Sequence, residues 1–262
     1  MCKKTLILVI VLSLASVASA GYRLICDETV NVELMDLSTE LDIWEVCPTG
    51  VLNCTGSGSM EQRICSGGQL IINGGTVNVA DRLNHDAGAI IINGGGSMRV
   101  NGDYKFPDTG GPCRLILNDG VFSCNNCENF VDRDSLIIVG YGKMQLDSIS
   151  GDRRNPNDWL NQGGIVPAEG FGPIQIRSVG GKTEITATII PKITFESESS
   201  GEFETVSPAL ITVKVVDAKS ESYSVNYAVT GGTATGGGVD YTLASGTLNF
   251  SAGVTSRQIS IS

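Results

Sequence analysis

The stretch Gly68-Gln69-Leu70-Ile71-Ile72-Asn73-Gly74-Gly75 returns 20 positions later as Gly88-Ala89-Ile90-Ile91-Ile92-Asn93-Gly94-Gly95. Each copy is a short apolar run that ends in Asn-Gly-Gly, and a second short strand pattern follows it, Thr76–Val79 in one case and Ser97–Val100 in the other. A strand, a turn and a second strand that recur at a fixed interval are typical of a β-solenoid, because one coil cannot bury its own apolar face and must stack on the next.

Weaker copies of this unit lie on both sides of the pair. Gly50-Val51-Leu52-Asn53 precedes it by 20 positions, Arg114–Gly120 follows it by 25, and Leu136–Gly140 comes last. We expect the Asn before each glycine to occupy the same corner of every coil, where it can tolerate left-handed backbone and hydrogen-bond to its neighbour in a ladder. The alternative is a row of β-hairpins with Asn-Gly turns. Hairpins require no fixed period, so the repeat favours the solenoid.

The segments that flank the repeats are predicted to form the ends of the solenoid. Residues 21–49 contain alternating apolar positions and are expected to cap the first coil. At the other end, Trp159 and Leu160 are expected to cover the last coil, and the β-branched run Thr183–Ile190 is predicted to be a strand. Pro191 is the natural boundary with a second domain.

The first 20 residues have the organisation of a secretory signal peptide. Lys3 and Lys4 form the charged region, Thr5–Val17 is apolar, and Ala18-Ser19-Ala20 is a small-residue cleavage site. The apolar run is too short to span a bilayer comfortably. We therefore predict cleavage after Ala20, a secreted or cell-surface location, and no transmembrane segment in the mature chain.

Charge and cysteine content agree with an exported protein. The formal net charge of the 262-residue chain is −10, and it becomes −12 once Lys3 and Lys4 are removed. Such a chain would repel phosphates, so nucleic acid is excluded as a partner. Seven of the eight cysteines remain after the signal peptide, and we expect them mostly to form disulfides. These seven are Cys26, Cys47, Cys54, Cys65, Cys113, Cys124 and Cys127.

Two cysteine clusters and the single histidine have alternative interpretations. The pair in Cys124-Asn125-Asn126-Cys127 could be half of a zinc or redox site, but disulfides are favoured in a secreted chain. Likewise, Cys47, Cys54 and Cys65 are candidates for stapling the first coils. His85 is expected to lie in a surface loop, which leaves no histidine for a Ser-His-Asp relay. We therefore predict no catalytic residues and no enzyme activity.

The C-terminal part has a different pattern. Apolar and polar residues alternate in Leu210–Val216 and Tyr223–Ala228, which predicts an antiparallel β-sandwich. The series Gly232-Thr233-Ala234, then Asp240-Tyr241, then Gly246-Thr247-Leu248-Asn249-Phe250 resembles the Calx-beta module, a calcium-binding β-sandwich. The resemblance begins near Ile193-Thr194-Phe195 and covers residues 191–262.

The resemblance implies a calcium site at one end of the sandwich, with Glu204 and Asp240 as metal ligands. Calcium takes six to eight oxygen ligands. Ser245 stands where exchanger-type modules have a further acid, and the family's aspartate pair would follow Ser262, so the sandwich is predicted to be partial. In the alternative interpretation, Asp240 caps the glycine-rich turn through backbone amides and Glu204 is a solvated loop acid.

Two readings of the solenoid are open. It resembles the exported repeat regions of planctomycete-type bacteria, which implies export and shape but no activity. A carbohydrate-active or carbohydrate-binding solenoid of the lyase or hydrolase class is the alternative, because such proteins place carboxylates and basic residues on one strand face. The residues available for it are Asp132, Asp134, Asp147, Asp152, Arg153 and Arg154.

Taken together, the sequence predicts an all-β protein. A signal peptide (1–20) precedes a short right-handed parallel β-solenoid (21–190), and a partial Ig-like antiparallel β-sandwich of Calx-beta type follows (191–262). The predicted function is a structural or adhesion protein of the cell surface or matrix. Its expected partners are surface glycans or other surface proteins, and calcium is its expected cofactor.

Overall fold

The computed structural model describes residues 21–37, 42–56, 62–64, 67–106, 112–128, 135–147, 155–199, 201, 207–218 and 221–262. The fold is all-β with 3% helix: a β-solenoid of about five turns, then antiparallel sheets. The predicted fold class is therefore confirmed. The chain divides into two compact units, the first from Met1–Ala168 and Ile174–Ala187, the second from Glu169–Pro173 and Thr188–Ser262.

Three parallel stacks of strands, called here faces 1, 2 and 3, build the solenoid. Face 1 contains β1 (Tyr22–Ile25), β4 (Ile43–Val46), β7 (Gln69–Asn73), β10 (Gly88–Asn93), β12 (Cys113–Leu117), β14 (Leu136–Val139) and β16 (Ile165–Pro167). Face 2 contains β2 (Thr29–Val32), β5 (Val51–Cys54), β8 (Thr76–Val79), β11 (Gly96–Lys105), β13 (Gly120–Glu128) and β15 (Lys143–Leu146). Face 3 contains β3 (Asp36–Leu37), β6 (Gln62–Ile64), β9 (Leu83–His85) and the C-terminal ends of β11 and β13.

The repeats stack in register, as their spacing predicts. Asn93 pairs with Asn73 across β10 and β7. Its Nδ2 donates to Asn73 Oδ1 over 2.8 Å, and Asn118 Nδ2 donates to Asn93 Oδ1 over 2.8 Å, which confirms the Asn ladder. The Asn residues do not adopt the left-handed backbone that they could tolerate. The following glycines take it, with φ of +79° at Gly74 and +59° at Gly94, because a residue without Cβ adopts that conformation at no steric cost.

The assignment of Gly50–Asn53 to the same ladder is also wrong. Val51–Cys54 is β5 of face 2, and it pairs with Thr76–Val79 rather than with the face 1 strands. Asn53 instead belongs to a second ladder, in which Asn78 Nδ2 donates to Asn53 Oδ1 over 2.9 Å. Asn forms a ladder on both faces, at the last position of β7 and β10 on face 1 and at the third position of β5 and β8 on face 2. The residue type alone therefore does not identify the face.

Alternate side chains of every coil point into one continuous apolar core. Leu70, Ile72, Ile90 and Ile92 are all 0% exposed. The coils approach so closely that a Cβ on Gly88 would lie 2.2 Å from the backbone oxygen of the preceding coil.

The last coil is covered as predicted. The single described helix, α1 (Pro156–Asn161), begins after Asn155, whose side chain accepts a hydrogen bond from Asn157 N, and it places Trp159 in the core. Leu160 packs against the same core. The predicted Thr183–Ile190 strand is present as β18 (Lys182–Ile189), which pairs antiparallel with β15 and with its hairpin partner β17 (Phe171–Val179).

One cysteine pair among the described residues lies at disulfide-bonding distance. Cys26 and Cys47 join the ends of β1 and β4, with their Cα atoms 4.9 Å apart. The prediction that Cys54 forms a staple is wrong: the thiol is buried and free, and burial raises its pKa to about 12. Cys124 is likewise buried and free, contrary to the expected disulfide. Cys65 lies outside the described residues.

The second unit consists of two antiparallel sheets. One has the order β19 (Lys192–Phe195), β20 (Ala209–Val216), β23 (Ser256–Ile261), and the other pairs β21 (Tyr223–Tyr227) with β22 (Gly246–Phe250). The predicted alternation is visible in β20, where Val213 and Val215 are buried and Lys214 is exposed. These valines pack in one small core with Phe250 and Ile259.

Candidate functional site

The glycine-rich loop before β22 contains the predicted ligand Asp240. Its carboxylate Oδ2 accepts a hydrogen bond from Thr235 N over 2.6 Å, and its own backbone N donates to Thr235 O over 2.9 Å. Gly238 N donates to Tyr241 O over 3.0 Å. The carboxylate therefore caps the turn, as the alternative interpretation expected, and it remains exposed to solvent.

The second predicted ligand, Glu204, lies outside the described residues. Within the parts of the chain that the structure covers, no three His, Cys, Asp or Glu side chains lie together as a metal site would require. Asp240 supplies a single carboxylate, and one carboxylate does not fill a coordination sphere of six to eight oxygens. The predicted pair of ligands thus stays a prediction.

A cleft of about 890 Å³ opens in the second unit, along β19 and β21. Its apolar wall includes Ile193, Val213, Val225 and Ile259, and Phe195 at its edge is 58% exposed. Polar groups contributed by the loop after β21 and the start of β22 complete the lining. Sequence reasoning missed the cleft, because strand alternation does not show which apolar residues two separate sheets leave facing each other.

Steric contact explains why a glycine occupies the first position of β22. Gly246 pairs with Tyr227, and a Cβ on this glycine would lie 2.5 Å from Tyr227 Oη. Tyr241 packs in the same way over Gly236, where a Cβ would lie 3.1 Å from the ring. The Gly and Tyr positions of the sequence series are therefore contacts that hold the loop and the hairpin together.

Comparison with known families agrees with this geometry. Residues 187–262 match the Calx-beta domain. No curated protein and no solved structure matches the chain. The second unit therefore contains a Calx-beta domain, which follows the β-solenoid in the chain.

In the solenoid, His85 is a buried residue, and the prediction of a surface loop position is wrong. The side chain is 0% exposed on the inner side of face 3, where β9 stacks on β6. Its Nδ1 lies 2.7 Å from Tyr104 Oη and its Nε2 lies 3.2 Å from Gly88 O. A carbonyl only accepts, so Nε2 carries the proton, and Tyr104 donates to Nδ1. Burial lowers the pKa of His85 to about 4, which keeps the ring neutral.

Buried cysteines and aromatic rings surround this histidine. Cys113 Sγ lies 2.7 Å from His85 O, and the Tyr104 and Phe106 rings meet edge to face with centroids 4.8 Å apart. Cys127 pairs in register with Tyr104 and is also buried. Because Cys124 and Cys127 both point into the core, they do not form the exposed half-site that a Cys-x-x-Cys spacing suggests.

Most carboxylates of the carbohydrate-active alternative lie outside the described residues, as do both of its arginines. The remaining one, Asp147, is held on face 2 by Arg99 and by Lys182, whose Nζ lies 2.8 Å from Oδ1. The hydrogen bond from Arg99, then that from Lys182, holds the pKa of Asp147 below its usual range. This carboxylate is an ionised partner of two cations.

The described residues contain no helix that is long and apolar enough to cross a membrane.

Proposed function

We propose that the protein is an exported structural protein of the cell surface or matrix. The solenoid acts as a rigid spacer, and the Calx-beta domain serves adhesion or spacing, stiffened by calcium. One observation carries the proposal: a stack of in-register coils is joined in one chain to a Calx-beta domain. In-register parallel stacking with a continuous core supports a stiff element.

Calcium binding is the most direct test of this proposal. Glu204 and Asp240 are its expected ligands, and calcium that binds only the folded domain raises its free energy of unfolding. The gain is about 2.7 kcal/mol at 100 times the dissociation constant, or roughly 15 °C in melting temperature for a domain of this size. The measurement is thermal unfolding of the full chain at rising calcium concentration, with magnesium as the ionic control.

Asp240→Asn is the informative variant. Asn retains an oxygen that can accept from Thr235 N, so the turn cap and the stability without calcium should change little. The charge that attracts the cation is lost, so the calcium-dependent shift should shrink. Equal shifts in the wild type and the variant, or no shift in either, would contradict calcium binding at this loop.

Export is tested separately. Amino-terminal sequencing of the protein recovered from its cells should begin at Gly21, and labelling of intact cells should reach it. Recovery of the uncleaved chain from the cell interior alone would rule out the proposed location.

A further inference from the structure

The outer side of face 1 is apolar along much of its length. Ile71 lies between Leu70 and Ile72, which are 0% exposed, so it points away from the core. The equivalent positions on neighbouring strands pair with it in register. Together they form a continuous aliphatic ladder of Ile71, Ile91, Ile116, Ile138 and Val166.

Face 2 of the same coils provides an internal comparison. Its outward positions at the matching depth are Asn78, Arg99, Ser123 and Gln145, which pair along the stack in the same way. A sheet with one side on the core and one in water alternates apolar and polar residues, as face 2 does. Continuous apolar runs are typical of a sheet that is covered on both sides, and face 1 has this pattern.

A polar rim borders the ladder. Asn73, Asn93 and Asn118 follow one another along the ends of the face 1 strands, and each joins the next by a hydrogen bond of 2.8 Å. An apolar centre with a hydrogen-bonded polar border is the usual anatomy of a protein interface.

We propose that face 1 is a self-association surface, on which a second copy of this chain packs face to face in a two-fold dimer. Strands in a sheet lie about 4.8 Å apart, so another parallel stack presents side chains at the same interval and can interdigitate along the whole ladder. A helix or an irregular surface has no such repeat. A two-fold contact uses the same patch on both copies and therefore closes at two.

The available area sets the strength of this contact. The ladder spans five of the seven strands, because Glu45 of β4 occupies the next position in register. Five strands at about 4.8 Å and five residues at about 3.3 Å give a surface of roughly 400 Å² per copy, or about 800 Å² in total. That total is below the range of stable specific interfaces, so a weak, transient dimer with a dissociation constant of roughly 100 µM is expected.

The test is sedimentation of the full chain from about 1 µM to about 500 µM, a range that brackets this dissociation constant. The wild type should pass from monomer to dimer. Ile91→Lys with Ile116→Lys places two cations at the centre of the ladder, and the dissociation constant should rise at least about 100-fold. The matched control, Thr76→Lys with Ser97→Lys, changes two outward residues of face 2 that are neighbours in register, as Ile91 and Ile116 are on face 1, and it should dimerise like the wild type.

Two further measurements keep the result interpretable. Ile91→Thr with Ile116→Thr retains β-branched residues, so this milder pair should weaken the dimer even if the lysine pair fails to fold. An apolar contact should also resist sodium chloride and strengthen in sulfate. A wild type that stays monomeric, open-ended association, or equal dimerisation of face 1 and face 2 variants would overturn the proposal in favour of a different occupant.

Discussion

The buried histidine makes the stability of the solenoid depend on pH in a defined window. His85 is the only histidine of the chain, and both of its ring nitrogens are engaged, one with Tyr104 Oη and one with Gly88 O. No carboxylate is among its hydrogen-bond partners, so a proton added to the ring would bring an uncompensated charge into the core. Acidification is therefore expected to lower the stability of the solenoid. The variant His85→Gln is the matched comparison, because its side chain takes up no proton.

The magnitude follows from the two pKa values. The unfolded chain binds the proton near pH 6.5, whereas the folded chain resists until about pH 4. The unfolded state therefore holds more protons between these values, so stability is complete above pH 6.5 and is lost as the pH falls towards 4. The full loss is about 3 kcal/mol, and about 2 kcal/mol of it occurs between pH 7 and pH 5.

Urea unfolding at pH 7, 6 and 5, followed by circular dichroism, measures this loss. Above pH 5 the loss of stability due to His85 can be separated from that due to the carboxylates. The pKa values of Asp147 and Glu184 are lowered, so their contributions to stability are lost only at lower pH. Gln offers an acceptor to Tyr104 and a donor to Gly88 O but binds no proton, so the His85→Gln chain should be nearly insensitive to pH in this range.

Tyr104→Phe serves as the control, because it removes the hydroxyl but retains the histidine and should retain the pH dependence. The reasoning is refuted if His85→Gln loses as much stability as the wild type between pH 7 and pH 5.

Three further changes test the packing of the coils. Gly88→Ala should cost about 2 kcal/mol more than Gly181→Ala in urea unfolding, because only the former Cβ meets backbone, at 2.2 Å, while the φ angles match at +80° and +79°. Equal midpoints would contradict the close approach of the coils. Asn93→Ala removes two ladder hydrogen bonds and should cost about 2 kcal/mol, and a loss of a few tenths would show that the ladder contributes little. Reduction of the Cys26–Cys47 disulfide, which joins residues 21 apart, should lower the unfolding free energy by about 3 kcal/mol, and an unchanged melting curve in reductant would argue against the bond.

Much of the solenoid could be predicted, because its repeats are visible as similar stretches of sequence at a regular interval. The interval between Asn73 and Asn93 sets the in-register stacking, and the tryptophan of α1 was expected at the end of the core. The strand at Val51–Cys54 was assigned to the wrong face, since a short apolar run followed by Asn occurs on both face 1 and face 2. Only the pairing of neighbouring coils distinguishes the two.

The candidate site in the Calx-beta domain could be predicted only in part. Asp240 was found through the resemblance of the motif series to the Calx-beta module, because that series lies within Gly232–Phe250 and needs no long-range contact to be recognised. The cleft beside Phe195 was not predictable, because it depends on how two sheets face each other across gaps of many residues.

The sequence by itself determined the elements that depend on local order: the repeat interval, the Asn ladder, the end cap and the Calx-beta motif series. Only the tertiary structure decided which side chains became buried together. The polar sequence around His85 predicted a surface loop, but the stacking of the coils places this residue beside Tyr104 in the core. The cysteines were predicted to form disulfides, but Cys54 and Cys124 each lie buried in that core as free thiols. Contacts between coils determine which side chains are buried and which cysteines pair. These contacts join residues about 20 positions apart, and the amino-acid type at one position does not show which residue of the next coil it will contact.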